Sequence, residues 1–330
     1  MIALHSAAPN TTLGVLPIKS ALVAEGGGQR GIFTAGVLDA WLENEFDPFD
    51  LFIGTSSGSQ NITSFLSRQK GYASRVILGL SCNKRFCQLS RGLKRGNVVD
   101  LDWYFESTIE GNFSLDFTAA RKSLGQRELL IAATNARNRQ SYYLTPSGNN
   151  NYWRQLLKAS SAFPFLYRDG VKLSAFLSGN SINATESRDK FPQADFYLDG
   201  GLSAPLPVRQ AYERGARKIV LIRTVNADVN TQSTWILKLM SWLNESAYCP
   251  ISIDYLNQYM AAYQQELNFI AKPPNDVEII QIFAEDHLHS SLLKSTREDL
   301  QHDYNAGINA GTDFLQSHSL LESIYLTSDQ

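Results

Sequence analysis

The stretch Leu51-Phe52-Ile53-Gly54-Thr55-Ser56-Ser57-Gly58 restricts what this chain can fold into more than any other. A short apolar run ends at Gly54, and Ser56 follows between Gly54 and Gly58. This is the G-x-S-x-G pattern of a buried strand that turns sharply into a helix. The turn is tight enough that a side chain two residues to either side of the serine would strike neighbouring backbone, so both flanks call for glycine. It pushes the Ser56 hydroxyl outward and sets it at a helix N-terminus, where unpaired N–H groups favour developing negative charge. Residues 50–55 are accordingly read as a strand and residues 61–67 as helical. A Gly/Ser-rich turn without chemistry has the same local pattern, so the rest of the chain decides between the two.

Upstream, residues 18–24 are mostly apolar with little alternation, as in a strand buried on both faces. Glu25-Gly26-Gly27-Gly28-Gln29-Arg30-Gly31 follows, then residues 32–44, where Phe33, Val37, Leu38, Trp41 and Leu42 are spaced for one helix face. The loop matches G-x-G-x-x-G formally, which raises a dinucleotide-binding reading. That reading wants an acid at the end of the second strand, whereas Asp47 and Asp50 precede residues 51–53. A loop of bare amides one strand away from a serine hydroxyl is better suited to holding an oxyanion.

The 330 residues, 43% hydrophobic and 19% charged, suffice for one large α/β unit. A net charge of -2 gives a general nucleic-acid role no support. Cys82, Cys87 and Cys249 fit neither a disulfide framework nor metal-ligand spacing, so a reducing compartment and no metal are expected. Residues 1–20 lack the cationic start and apolar core of a signal peptide. No apolar run approaches the roughly 20 residues needed to span a bilayer. The expected location is cytoplasmic, with peripheral contact at a membrane surface left open. Residues 68–97 carry Arg68, Lys70, Arg75, Lys84, Arg85, Arg91, Lys94 and Arg95 with few acids. They read as a solvated surface, the alternative being a surface for phosphate head groups or anionic lipid.

Further strands are expected at 128–135, 140–145, 196–199, 218–224 and 277–284. Helices are expected at 102–109, 116–124, 151–159, from Pro205 and Pro207 to Arg214, at 233–244, at 253–269 and at 291–315, the last kinked at Gly307 and Gly311. In Ala159-Ser160-Ser161-Ala162-Phe163-Pro164, small residues allow close backbone approach, so the segment lines a cleft or supports the turn at Ser56. Residues 178–194 read as a surface insertion, and the sequon Asn183-Ala184-Thr185 carries little weight without a secretion signal. The strand at 196–199 ends in Asp199, followed by Gly200 and Gly201. Taken alone, Asp199 reads as a turn aspartate capping its own loop. Residues 235–243, rich in Trp and Leu, read as a core helix, with an interfacial helix or lid as the alternative. The βαβα alternation predicts an α/β fold with a largely parallel sheet and helices on both faces. The expected organisation is an extension at 1–17, a catalytic region at 18–225 and residues 226–330 completing the same domain.

Taken in order, Gly26-Gly27-Gly28-Gln29-Arg30-Gly31, Gly54-Thr55-Ser56-Ser57-Gly58, Ala159-Ser160-Ser161-Ala162-Phe163-Pro164 and Asp199-Gly200-Gly201 resemble the patatin-like phospholipase family over roughly residues 20–224. The resemblance implies a three-layer α/β/α fold and hydrolysis of acyl esters of lipids, usually phospholipids, without metal or organic cofactor. It implies a dyad, with Ser56 as nucleophile and Asp199 as base, and an oxyanion hole built from the amides of Gly26, Gly27 and Gly28. Arg30 sits at the family's arginine position, where it holds the loop or stabilises charge. Gly31, Gly54, Gly58, Gly200 and Gly201 complete the motifs. The chemistry stands beside the resemblance: a serine hydroxyl needs a base within hydrogen-bond reach, and a carboxylate with an ordinary pKa near ~3.9 is ionised at neutral pH. The order Ser56, Asp199, then His287 or His289 is also that of an α/β-hydrolase triad. A nucleotide-binding loop at 26–31, and acyl transfer to an alcohol other than water, stay open as well.

Overall fold

The computed structural model describes residues 19–94, 96–168, 170–173, 195–225 and 251–328. In chain order the elements are β1 (Lys19–Ala24), α1 (Gly31–Glu43), β2 (Leu51–Thr55), α2 (Ser57–Leu66), the short helices α3 (Tyr72–Val76), α4 (Leu89–Leu93) and α5 (Leu101–Glu106), then α6 (Phe117–Leu124), β3 (Glu128–Asn135), β4 (Ser141–Leu144), α7 (Asn150–Ser160), β5 (Val171–Leu173) and β6 (Asp195–Asp199). They continue with α8 (Val208–Glu213), β7 (Ala216–Ile222), α9 (Ile251–Ala271), β8 (Glu278–Ile282) and α10 (Arg297–Ser328).

One sheet carries the strands in the order β5-β6-β3-β2-β1-β7-β8, with β4 also paired to β3. The centre is parallel: β3, β2, β1, β7 and β8 run the same way. At the β3 end of the sheet β4 and β6 pair antiparallel to β3, on its two opposite edges, and β5 pairs antiparallel to β6. The expected largely parallel sheet is therefore correct for the core and mixed at that end. β5, three residues long, is too short to show a period and was not expected.

Both faces are covered, as a parallel sheet requires. Leu22, Phe52 and Ile131 pack with Phe33, Trp41 and Phe65 on one face, while Val23, Ile53 and Leu130 pack with Leu206, Val208 and Tyr263 on the other. Each fully buried Val, Leu, Ile or Phe contributes about 1.5–3 kcal/mol, so these layers anchor the strand ends that carry the site.

α1 was expected to bury one face, yet every residue from Gly31 to Trp41 is buried. The reason is α10, which lies against its other side. A Cβ on Gly307 would stand 2.1 Å from the Phe33 carbonyl oxygen, and one on Gly36 would stand 2.2 Å from that of Tyr304. The Trp41 indole donates to the Gly311 carbonyl at 3.2 Å. Gly307 and Gly311, expected to kink the last helix, instead let two helices touch, and one helix runs through both. That helix begins at Arg297, not at 291; residues 291–296 pack against the glycine loop.

Several cations of the basic stretch are paired, on an apolar excursion. Arg68 bonds Asp47, Lys70 pairs with Glu43, and Arg91 pairs with Asp100. Beneath them Tyr72, Val76, Ile77, Phe86, Val99, Leu101 and Tyr104 are buried. The extension at 1–17, the insertion at 178–194, the helix at 233–244 and Cys249 lie outside the described residues. Among the described residues no helix is long and apolar enough to cross a membrane.

Candidate active site

β3 is the ruler against which the site is laid out. Thr55, the last residue of β2, stands opposite Ala132. The next residue on β3, Ala133, stands opposite Asp199. β4 pairs with both Ala132 and Ala133; a strand has only two edges, so β2 and β6 share the other one. β6 arrives from the opposite direction where β2 departs. One strand edge thus delivers Ser56 and Asp199 to the same point, although 143 residues separate them.

β2 leaves that edge through Ser56, whose φ of 52° and ψ of -124° are unfavourable for a residue with a side chain. Such a conformation costs about 1–3 kcal/mol and persists only where surroundings hold it. Here the Ser56 N–H donates to Ser160 Oγ at 2.9 Å, and the Ser160 hydroxyl donates to the Ala132 carbonyl at 2.6 Å. Ser160 therefore bridges the turning strand to the β3 carbonyl it has left. The two glycines behave as the sequence requires: a Cβ on Gly54 would lie 2.4 Å from Ser59 Cα, and one on Gly58 2.3 Å from the Ala24 carbonyl oxygen.

Asp199 is fixed at every polar atom. Its N–H donates to the Ala162 carbonyl at 2.9 Å, and its carbonyl accepts from the Thr134 hydroxyl at 2.8 Å. Oδ1 accepts the Gly201 N–H at 2.7 Å. Oδ2 accepts the Ser56 hydroxyl at 2.8 Å. The turn-capping reading and the dyad reading hold together, one oxygen for each. Burial pushes the Asp199 pKa up from 3.8 to about 7, against the lowering pull of the Gly201 N–H and the Ser56 hydroxyl. A buried carboxylate with few donors holds its proton more tightly, which suits a base working near neutrality.

The glycine loop is pinned peptide by peptide. In a planar trans peptide the C=O and the following N–H point opposite ways, so fixing one aims the other. The Gly26 carbonyl accepts the Thr224 hydroxyl at 2.8 Å. The Gly27 carbonyl accepts the Arg30 N–H at 3.1 Å, and the Gln29 N–H donates to the Leu292 carbonyl at 3.1 Å. Gly28 has a φ of +57°, and a Cβ there would lie 2.4 Å from the Leu292 oxygen. The Gly27 N–H meets Ser57 Oγ at 3.0 Å. Among the described residues the amides of Gly26 and Gly28 have no acceptor. Arg30 is buried, and its charge acts on Glu25, which fits loop-holding.

A cavity of about 150 Å³ opens here, with Gly26, Gly27, Gly28, Ser56 and Asp199 at one side. Val76, Ile77, Phe86, Val99, Leu101 and Leu166 give it an apolar wall, most of it from the excursion between α2 and β3. Phe163 and Ser161 also line it, so the 159–164 segment both lines the cleft and supports the turn.

Neither His287 nor His289 lines this cavity, and both are exposed. His289 stacks on His302 with ring centroids 3.9 Å apart. The Ser56 hydroxyl goes directly to a carboxylate, without an imidazole between. The acids considered for a dinucleotide site are engaged elsewhere: Asp47 accepts from Arg127 at 2.7 Å, and Asp50 accepts the Ser20 N–H at 2.8 Å.

Four contributors went unread in the sequence: Ser57, Thr224, Tyr259 and Tyr263. Tyr259 lines the cavity. Thr224 lies two residues beyond β7 because that strand ends at Ile222 rather than at 224. A short polar residue just past a parallel strand's carboxyl end is a signal, since ligand sites gather there.

Fold and site define a three-layer α/β protein with a serine at a strand–helix turn, bonded to a buried aspartate beside a glycine loop. The family model for patatin-like phospholipases matches residues 22–212, and a second model, a domain of unknown function (DUF6363), matches residues 249–321. The chain belongs to the patatin-like phospholipase family, a family of lipid hydrolases. It is 36% identical over 314 residues to the uncharacterized protein YjjU of Escherichia coli strain K12, spanning 95% of this chain and 82% of that one. Among solved structures it is similar to VipD from Legionella pneumophila, at 14% identity and TM-score 0.45 over 92% of this chain and 67% of that chain. The type III effector protein ExoU is similar at 11% identity and TM-score 0.37, over 91% of this chain and 53% of that chain.

Proposed function

We propose that the chain is a lipid acyl hydrolase that cleaves carboxylic esters of phospholipids or related acyl lipids through an acyl-enzyme on Ser56, with Asp199 as the base. The observation that carries this reading is the 2.8 Å bond from Ser56 Oγ to Asp199 Oδ2. Ser56 Oγ attacks the ester carbonyl carbon as its proton passes to Oδ2. The carbonyl oxygen becomes an oxyanion held by amides of the 26–28 loop, with Gly27 joining when Ser57 releases it; each such donor is worth about 3–4 kcal/mol. Collapse breaks the bond to the leaving alkoxide, which takes the proton from Asp199. Water then attacks the acyl carbon as Asp199 takes its proton; the acyl–Ser56 bond breaks, Ser56 Oγ takes that proton back from Asp199, and the fatty acid leaves.

The apolar wall beside Ser56 supports an acyl chain as the buried part of the substrate, with the head group toward the opening. Residues 226–330 are taken as completing the same domain, since β8 extends the sheet at β7. The test is release of fatty acid from phospholipid–detergent micelles by the purified chain. The expected result is release that Ser56→Ala removes; release that survives Ser56→Ala contradicts the reading.

A further inference from the structure

Glu25 directly precedes the glycine loop, and its carboxylate is buried. Its Oε2 accepts the Thr224 N–H at 2.6 Å. Its Oε1 accepts the Tyr263 hydroxyl at 3.1 Å. The Tyr263 oxygen in turn accepts from Arg223 Nη2 at 3.2 Å, and Arg223 Nη1 reaches Gln281 at 3.1 Å. Burial pushes the Glu25 carboxyl up, while the Arg223 and Arg30 guanidiniums oppose it. Glu25 borders the cavity, and both of its oxygens are taken by Thr224 and Tyr263, so its carboxylate holds geometry.

What it holds is Thr224. That residue is seated through its own N–H on Glu25, and its hydroxyl then grips the Gly26 carbonyl at 2.8 Å. The grip aims the next amide, Gly27 N–H, the opposite way, toward Ser57 and the cavity, because the peptide is planar and trans. A Cβ on Gly27 would lie 2.5 Å from Thr224 Oγ1, so the fit against the loop is close. Tyr263 belongs to α9, inside the region matched by the model of unknown function. The same region supplies the Leu292 carbonyl that holds Gln29 N–H and the Ser295 N–H that donates to Gln29 Oε1 at 2.8 Å.

We infer that Thr224, seated by Glu25 and Tyr263, is the positioning residue that aims the Gly27 amide of the oxyanion loop, and that the 249–321 region serves this chain by buttressing that loop. The inference rests on the hydrolase reading above. Positioning acts on the transition state more than on ground-state binding, so its loss lowers kcat and leaves KM near its starting value.

The test uses the full chain, a soluble short-chain p-nitrophenyl ester, and the rate of Ser56 labelling by a fluorophosphonate probe. Thr224→Val keeps the shape and removes the hydroxyl; kcat is expected to fall roughly 30-fold, with KM within about twofold and labelling slowed in parallel. Thr224→Ser restores the hydroxyl, and kcat is expected within about threefold of the parent. Tyr263→Phe, which leaves Thr224 itself intact, is expected to lower kcat about fivefold with the same split. It also serves as the second variant if Thr224→Val does not fold. A parent chain that labels at Ser56 while Thr224→Val, or Tyr263→Phe in its place, keeps kcat within about twofold overturns the positioning role alone. A parent chain that neither labels nor hydrolyses overturns the hydrolase reading, and this inference with it.

Discussion

Thr55 and Asp199 stand opposite consecutive residues, Ala132 and Ala133, on one edge of β3. β2 occupies that edge first and β6 takes it over from the opposite direction. The handover point is where Ser56 leaves the sheet. Two residues from distant parts of the chain are thus registered by a hydrogen-bond ladder, and the 2.8 Å contact between Ser56 and Asp199 follows.

The raised Asp199 carboxyl gives a pH profile. With its pKa at about 7, the basic form is lost as pH falls below that value. The expected kcat/KM is flat above about pH 8 and falls tenfold per unit below about pH 6. Stopped assays across pH 5–9 check it; an activity limb near pH 4 would contradict a buried base.

Stability has the opposite trend. Between 3.8 and about 7 the folded protein keeps a proton on Asp199 that the unfolded chain releases. The contribution of this group is therefore full below the lower value and is lost as pH rises through the upper one. Asp199→Asn removes the cost of burying charge. Urea denaturation should show it on the order of 2 kcal/mol more stable than the parent at pH 8, the gap closing near pH 4.

Ser160→Ala deletes the bridge between the Ser56 N–H and the Ala132 carbonyl. Both groups are left without that partner at a strained turn. The expected loss is about 1–3 kcal/mol in unfolding free energy, together with about tenfold in kcat. Denaturation and initial rates measure the two together.

Replacement of His287 and His289 by alanine, in one variant, separates the two base assignments. Both side chains are exposed and off the cavity, so ester hydrolysis is expected within about threefold of the parent. A folded variant that loses several hundred-fold would require a histidine base.

Val76→Trp fills part of the apolar wall. The preference for long over short acyl chains should shift by about tenfold or more toward short ones, read as the ratio of kcat/KM across a series of p-nitrophenyl esters.

The sequence displays what local sterics demand. Gly54 and Gly58 are needed wherever a strand doubles back on a serine, and Gly28 wherever φ is positive, so the turn and the loop can be read without coordinates. Asp199 is legible only through its setting, a strand end before two glycines. Thr224 leaves only the mark of a short polar residue past a strand end, and Tyr263 and Ser57 leave none, because each acts through a contact between elements distant in sequence. The excursion after α2 misdirects in a specific way. Its arginines and lysines are conspicuous, while Val76, Ile77, Phe86 and Val99, spread between them, form the wall that faces Ser56. The antiparallel β6 hides for a related reason: strand direction is set by pairing with β3 and leaves no mark in the order of residues.

The most direct measurement is covalent labelling with a fluorophosphonate probe, followed by peptide mapping, on the parent chain, Ser56→Ala and Asp199→Asn. The account predicts one adduct, on Ser56, absent from Ser56→Ala and slowed at least about 100-fold in Asp199→Asn. An adduct on another residue, or labelling of Asp199→Asn at the parent rate, would contradict it.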